Sequence, residues 1–203
     1  MESAESLFEE IRQAGLQLKN DWTVRQNNAL DERTRHIYSC HTLGELENRA
    51  SQLRLSVDEI QYAIHRWRNF KRHEAWQSLL FEQVPAIRLV DNPFSKKQDF
   101  LVSTPEEEIP FDLKVTRYPK SAQDNLSDSA LADWFYRNQS NEGRFHLANR
   151  FFIVGQPEEA LYDLVLARET IGRFVQDMRL FRHFVSHPDG TKSRAVLLRQ
   201  SVN

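Results

Sequence analysis

Residues 97–117 read KQDFLVSTPEEEIPFDLKVTR, and this stretch decides how the rest of the chain is read. Asp99-Phe100-Leu101-Val102-Ser103 has the short apolar run of a strand, and Phe111-Asp112-Leu113-Lys114-Val115-Thr116-Arg117 alternates apolar with polar residues. The segment between them, Ser103 to Pro110, holds two prolines and three glutamates and reads as an exposed connection. Strand periodicity puts Phe111, Leu113 and Val115 on one face and Asp112 and Lys114 together on the other. If the two strands fold as a symmetric antiparallel hairpin, with no bulge in the connection to shift the register, Asp99 falls opposite Asp112. Their Cβ atoms would then lie about 5 Å apart. Two carboxylates so placed repel unless something neutralises them, and a divalent cation with hard oxygen ligands would do so. The plain alternative is that Asp112 and Lys114 are solvated residues on an exposed sheet face, weakly paired with their neighbours.

Around this hairpin the chain reads as helical before it and mixed after it. Leu7, Ile11, Leu16 and Leu18 mark an apolar face in the first segment. Thr42 with Glu45, and Ser56 with Glu59, have the spacing of capping boxes that open two further helices. Ile60, Ile64 and Trp67 recur at helical spacing, and Trp76, Leu79 and Leu80 follow on a stretch from Phe70 to Gln83 that either continues that helix or starts anew. Ala86–Val90 is a short strand candidate ended by Asp91-Asn92-Pro93. After the hairpin, a loop over 119–128 leads to a helix with Leu131, Trp134 and Phe135. Asn149–Val154 reads as a buried strand, Ala160–Phe184 as a long helix and Arg194–Arg199 as a last strand. The order predicts an α/β fold over residues 69–203, with a helical N-terminal extension over 1–68.

The bulk numbers are those of an ordinary globular chain: 203 residues, 40% hydrophobic, 28% charged, with 13 Phe and 4 Trp to fill a core. A net charge of −2 gives no whole-molecule argument for nucleic acid, so any such case rests on local charge. The single cysteine, Cys40, excludes an internal disulfide framework and points to a reducing compartment. The first twenty residues have no basic start and apolar run of the signal-peptide kind, and no stretch reaches the roughly 20 apolar residues of a bilayer span. The expectation is a soluble, cytoplasmic protein. His36, Cys40 and His41 lack a second ligand pair at zinc-site spacing, so burial of Cys40 is the better reading.

Asp99 on one strand and Asp112-Leu113-Lys114 on the next resemble the PD-(D/E)XK phosphodiesterase signature, the superfamily of restriction endonucleases, junction resolvases and repair nucleases. Gln98 stands where a proline often precedes the first aspartate. The resemblance covers roughly residues 70–155 and implies a restriction endonuclease-like core, a mixed central sheet flanked by helices, with Asp99, Asp112 and Lys114 catalytic. It also implies a glutamate on the preceding helix, best matched by Glu74 and next by Glu82. Mg2+ or Mn2+ would be held by Asp99 and Asp112, with Glu74 and the Leu113 carbonyl as further ligands. The implied activity is metal-dependent endonuclease hydrolysis of DNA, RNA being open, in a chain of a size often found as a homodimer. Lys114 would orient or deprotonate the attacking water or stabilise charge in the transition state.

The basic run His65-Arg66-Trp67-Arg68-Asn69-Phe70-Lys71-Arg72-His73 offers Arg68 and Arg72 to a nucleic acid backbone, unless it is a solvated helix face with Trp67 and Phe70 turned inward. Lys97 and Arg117 flank the candidate site as further substrate contacts, and Lys96 and Lys120 add positive potential. Arg137, Arg144 and Arg150 either contribute to that potential or pair with acids such as Glu142. Two other function classes compete with the nuclease: a nuclease-like module that binds nucleic acid or protein without cutting, and a mainly helical interaction protein.

Overall fold

The computed structural model describes residues 2–18, 27–90, 98–122, 125–138, 148–176 and 183–201. Its contacts divide the chain into two compact units, Met1–Trp76 and Gln77–Asn203, with the division falling inside one helix. Among the described residues no helix is long and apolar enough to cross a membrane.

The first unit is helical: α1 (Ala4–Gln17), α2 (Asn28–Arg33), a 3-10 turn (Arg35–Ser39), α3 (Leu43–Gln52) and most of α4 (Val57–Gln83). Both predicted capping residues do their work. The Thr42 hydroxyl accepts the Glu45 N–H at 3.2 Å. Ser56 and Glu59 exchange a reciprocal pair, Ser56 N–H to the Glu59 carboxylate at 2.8 Å and Glu59 N–H to the Ser56 hydroxyl at 3.4 Å. From that cap α4 runs unbroken for 27 residues, so Phe70–Gln83 continues the helix of Ile60 and Trp67. Trp67 is fully buried among Ile37, Cys40, Leu43, Leu46, Ala63 and Ile64, and its indole N–H donates to the Cys40 carbonyl at 2.8 Å. The Cys40 thiol, itself buried, donates to the His36 carbonyl at 3.3 Å.

His36 gives this unit a pH dependence. Burial holds its imidazole below the ordinary histidine range, with Arg49 and Arg66 also opposing protonation. A depressed histidine favours folding above the unfolded value of 6.5, and that contribution is lost as the pH falls through the folded value. Thermal melts taken stepwise from pH 7.5 to 5 should therefore fall more steeply for the wild type than for His36→Gln. Parallel curves would disprove the assignment.

The second unit carries a six-stranded mixed sheet in the order β1-β2-β3-β4-β6-β5. The strands are β1 (Ile87–Leu89), β2 (Phe100–Ser103), β3 (Glu108–Arg117), β4 (Arg150–Gln156), β5 (Phe184–Ser186) and β6 (Lys192–Ser201). β1, β2 and β3 form an antiparallel meander, β4 and β6 continue parallel to β3, and β5 returns antiparallel at the far edge. The helix α5 (Asp128–Asn138) packs Leu131, Ala132, Phe135 and Tyr136 on one face against Phe152, Val154, Ala195 and Leu197. On the other face Phe151 meets Phe100, Phe111 and, from α6 (Leu164–Gln176), Phe174. The central strand β4 is buried from Arg150 to Gly155, as a strand covered on both faces must be.

Two expectations are corrected. The connection after β2 is shorter than its prolines suggested, because β3 already begins at Glu108; Thr104 closes the turn, its hydroxyl accepting the N–H groups of Glu106 and Glu107. The long helix expected over 160–184 is instead a 3-10 turn (Glu158–Tyr162), then α6, then β5, with residues 177–182 outside the described set. Asp163 breaks the run by capping, its carboxylate accepting the Leu166 N–H at 3.0 Å. Phe184–Ser186 is a strand because His187-Pro188-Asp189-Gly190 turns the chain back onto β6, with Gly190 at φ +83°. That Pro-Asp-Gly sequence is a turn signal the helical reading passed over.

Gly155 on β4 is needed for packing. A Cβ there would lie 2.4 Å from Leu161 Cγ on the 3-10 turn. Gly155→Ala is expected to cost about 1–3 kcal/mol in urea denaturation, and adding Leu161→Ala should return part of it relative to Leu161→Ala alone. Equal losses in both backgrounds would refute the close contact.

Candidate functional site

The pairing of β2 with β3 matches Phe100 to Phe111, Leu101 to Pro110, Val102 to Ile109 and Ser103 to Glu108. This is the symmetric register, and one step further it sets Asp99 beside Asp112. The ladder changes at that step. The Asp99 N–H donates to the Phe111 carbonyl at 2.8 Å, and its Oδ2 accepts the Leu113 N–H at 2.7 Å. The carboxylate thus takes the place of a strand partner where β2 has ended. A strand residue's N–H and C=O leave on the same side, so the Leu113 carbonyl also points to the side Asp99 occupies. Gln77 on α4 adds a hydrogen bond from its amide to the Asp99 carbonyl at 3.3 Å.

From Ile109 to Leu113 the burial on β3 alternates as expected, with Ile109, Phe111 and Leu113 buried and Asp112 partly so; beyond it Lys114 and Val115 are both partly buried. In the parallel ladder Asp112 is matched to Arg150 and Lys114 to Phe152. All four therefore leave the sheet on the side covered by α5. Lys114 Nζ lies 2.9 Å from Asp112 Oδ2 and donates to its Oδ1 at 3.1 Å. Arg150 Nε stands 3.9 Å from the same Oδ2. The Arg150 side chain is only 4% exposed, and its guanidinium lies 5.1 Å from the centre of the Tyr136 ring. Tyr136 is fixed in turn by its hydroxyl, which donates to the Ala148 carbonyl at 2.7 Å.

Burial pushes the Asp112 carboxyl above the ordinary carboxylate range; Lys114 pulls it back, Asp99 adds to the rise and Arg150 opposes it. Asp112 Oδ2 is shielded from solvent and receives no hydrogen bond, meeting its cations through charge alone. A buried oxygen in that condition, with a second carboxylate beside it, is a donor set that suits a hard divalent cation. Among the described residues no group of three or more His, Cys, Asp or Glu side chains gathers at metal-binding distance. Asp99 and Asp112 are the acids that the described residues place at this end of the sheet. Among the described residues two cations, Lys114 and Arg150, stand beside Asp112 and offset the negative charge that the hairpin alone leaves unbalanced.

The other expected site residues are distributed as follows. Glu74 lies on the part of α4 that belongs to the first unit, with its carboxylate 2.7 Å from Lys71 Nζ. Glu82 lies on the last turn of α4, exposed. Arg68 donates to the Ile11 carbonyl at 3.0 Å, and Arg66 pairs with Asp31 at 3.2 Å and donates to the Thr34 hydroxyl at 2.6 Å. Lys71 and Arg72 are buried. Much of the basic run is thus occupied in packing the helical unit. Arg117 is exposed and stands 3.7 Å from Glu158. Lys97, with Lys96, lies outside the described residues.

The residue that sequence reasoning undervalued is Arg150. In the sequence it is one of three scattered cations, yet it opens the most buried strand of the sheet, where an arginine needs a partner. Gln77 was not singled out either; it follows Glu74 by three residues on one helix, and only its bond to Asp99 gives it meaning. The chain matches no family model, no curated protein and no solved structure.

Proposed function

We propose that this chain is a metal-dependent nuclease that hydrolyses phosphodiester bonds in DNA, built on a restriction endonuclease-like form of the PD-(D/E)XK architecture. The observation that carries the reading is the Lys114–Asp112 contact beside Asp99, whose carboxylate accepts the Leu113 N–H where the β2–β3 pairing ends. The element order supports it: a helix, a three-stranded meander, a helix and then a parallel strand, α4-β1-β2-β3-α5-β4.

Asp99, Asp112 and the Leu113 carbonyl would hold Mg2+ or Mn2+, which when bound lowers the pKa of water and polarises the phosphate. The residues have separable tasks. Asp99 joins the strand end to the site through Leu113, so its carboxylate is oriented by backbone rather than by a mobile side chain. Lys114 is 39% exposed and reaches Asp112 from the solvent side, so it can leave that carboxylate to orient water or balance charge on a phosphate. Glu74 as a further ligand, Arg117 and Lys97 as substrate contacts, a cytoplasmic location and a homodimer belong to the same proposal.

A second reading is favoured by one observation. Among the described residues Lys114 and Arg150 already offset the acids at this site, as in a nuclease-like module that binds nucleic acid or a protein without cutting. Incubation of plasmid and single-stranded DNA with the protein and Mg2+ or Mn2+ separates the two. Cleavage that disappears with a chelator and in Lys114→Ala supports the nuclease; binding without cleavage supports the module.

A further inference from the structure

Of the four charged side chains in this cluster, one has no task in the reading just given. Arg150 sits at the start of the buried central strand, matched to Asp112 across the β3–β4 ladder. Its side chain is 4% exposed against 39% for Lys114. A buried guanidinium carries a desolvation cost that a hydrophobic residue at the same place would avoid, so stability alone is a poor reason for it. Its surroundings hold it still: the Tyr136 ring lies under the guanidinium, and the Tyr136 hydroxyl is tied to the backbone. The two cations on Asp112 therefore differ in kind, one partly solvated, the other buried against an aromatic ring.

We propose that Arg150 is a positioning residue of the site, a permanent counter-ion that holds the Asp112 carboxylate in place when Lys114 leaves it for water or phosphate. Without Arg150, Lys114 would be needed to neutralise Asp112 and could not serve both partners. The inference rests on the nuclease reading for its catalytic meaning, and on the Arg150–Asp112 contact alone for its structural meaning.

The test measures Mg2+ binding by calorimetry, kcat and KM on plasmid DNA, and thermal melting, for the wild type, Arg150→Lys and Arg150→Met. Loss of an outer group that orients a metal ligand typically costs about 10–100-fold in metal affinity or activity. Arg150→Met should weaken Mg2+ binding and lower kcat by factors in that range, with KM within about threefold of the wild type. Arg150→Lys, which keeps the charge, should recover most of both. Unchanged Mg2+ affinity and kcat in a folded Arg150→Met protein would overturn the proposal. If Arg150→Met does not melt cooperatively, the double variant Arg150→Met/Asp112→Asn decides: recovered cooperative melting supports the pairing, and continued failure overturns it. A wild type that neither binds Mg2+ nor cuts DNA removes the nuclease reading, while the melting of the single and double variants still reports on the Arg150–Asp112 contact.

Discussion

Lys114→Ala is expected to fold and melt like the wild type while losing about two to four orders of magnitude in Mg2+-dependent cleavage of plasmid DNA, the range typical of a group that transfers or orients a proton in the transition state. The side chain is 39% exposed and its removal leaves the buried Arg150 still beside Asp112, so the loss of stability should be no more than about 1 kcal/mol, the range of a partly exposed ion pair. Asp112→Ala should separate from it in both measurements. It removes a proposed metal ligand, so cleavage should fall at least as far. It also strips the carboxylate from a guanidinium that is 4% exposed, and breaking a buried ion pair from one side costs about 3–5 kcal/mol. Equal stabilities for the two variants would contradict the burial assigned to Arg150. Cleavage that survives both substitutions would end the proposed mechanism.

What could be read in advance, and what could not, follows from how far each signal acts. Strand periodicity is local, so Asp112 and Lys114 share a face as expected. The register between β2 and β3 was legible because the connection is short and nearly symmetric; Phe100 opposite Phe111 follows from its midpoint. The capping boxes at Thr42 and Ser56 were legible for the same reason, since every partner lies within four residues. The extent of the last helix was not. Apolar residues from Leu161 to Phe184 keep a helical spacing past the point where Phe184–Ser186 pairs with Lys192–Arg194, and that pairing depends on a turn at Pro188–Gly190. Arg150 was missed because its partner is on another strand, 38 positions earlier in the chain, with a parallel crossover between them. The basic run misled in the opposite sense. Its charge density suggested a surface for nucleic acid, but Arg66, Arg68 and Lys71 are engaged with Asp31, Ile11 and Glu74. The identity of a cation was readable, and what it faces was a tertiary fact.

A loss of stability as large as that of Asp112→Ala is expected in the second unit from Phe151→Ala. Phe151 is fully buried on β4, with ring centroids 5.6 Å from Phe100, 6.2 Å from Phe111 and 5.3 Å from Phe174. It therefore joins β2, β3, β4 and α6 at one point, and each edge-to-face pair adds about 0.5–1.5 kcal/mol beyond area burial. Truncating a buried phenylalanine to alanine costs about 3–5 kcal/mol, a large share of the roughly 5–15 kcal/mol that holds a typical domain together. The consequence reaches the site through the backbone. Phe151 is matched to Leu113, whose N–H anchors Asp99, and it follows Arg150 directly. Phe151→Leu keeps most of the volume and should lose only the ring contacts, retaining cooperative melting and, on the nuclease reading, cleavage. Phe151→Ala should melt at far lower temperature, with near-ultraviolet circular dichroism and any cleavage lost together on warming. If Phe151→Ala melted within a few degrees of Phe151→Leu, the aromatic junction would not be what ties the helix and the first strands to β4. The positions of Asp99 and Arg150 would then owe their order to the backbone ladder alone.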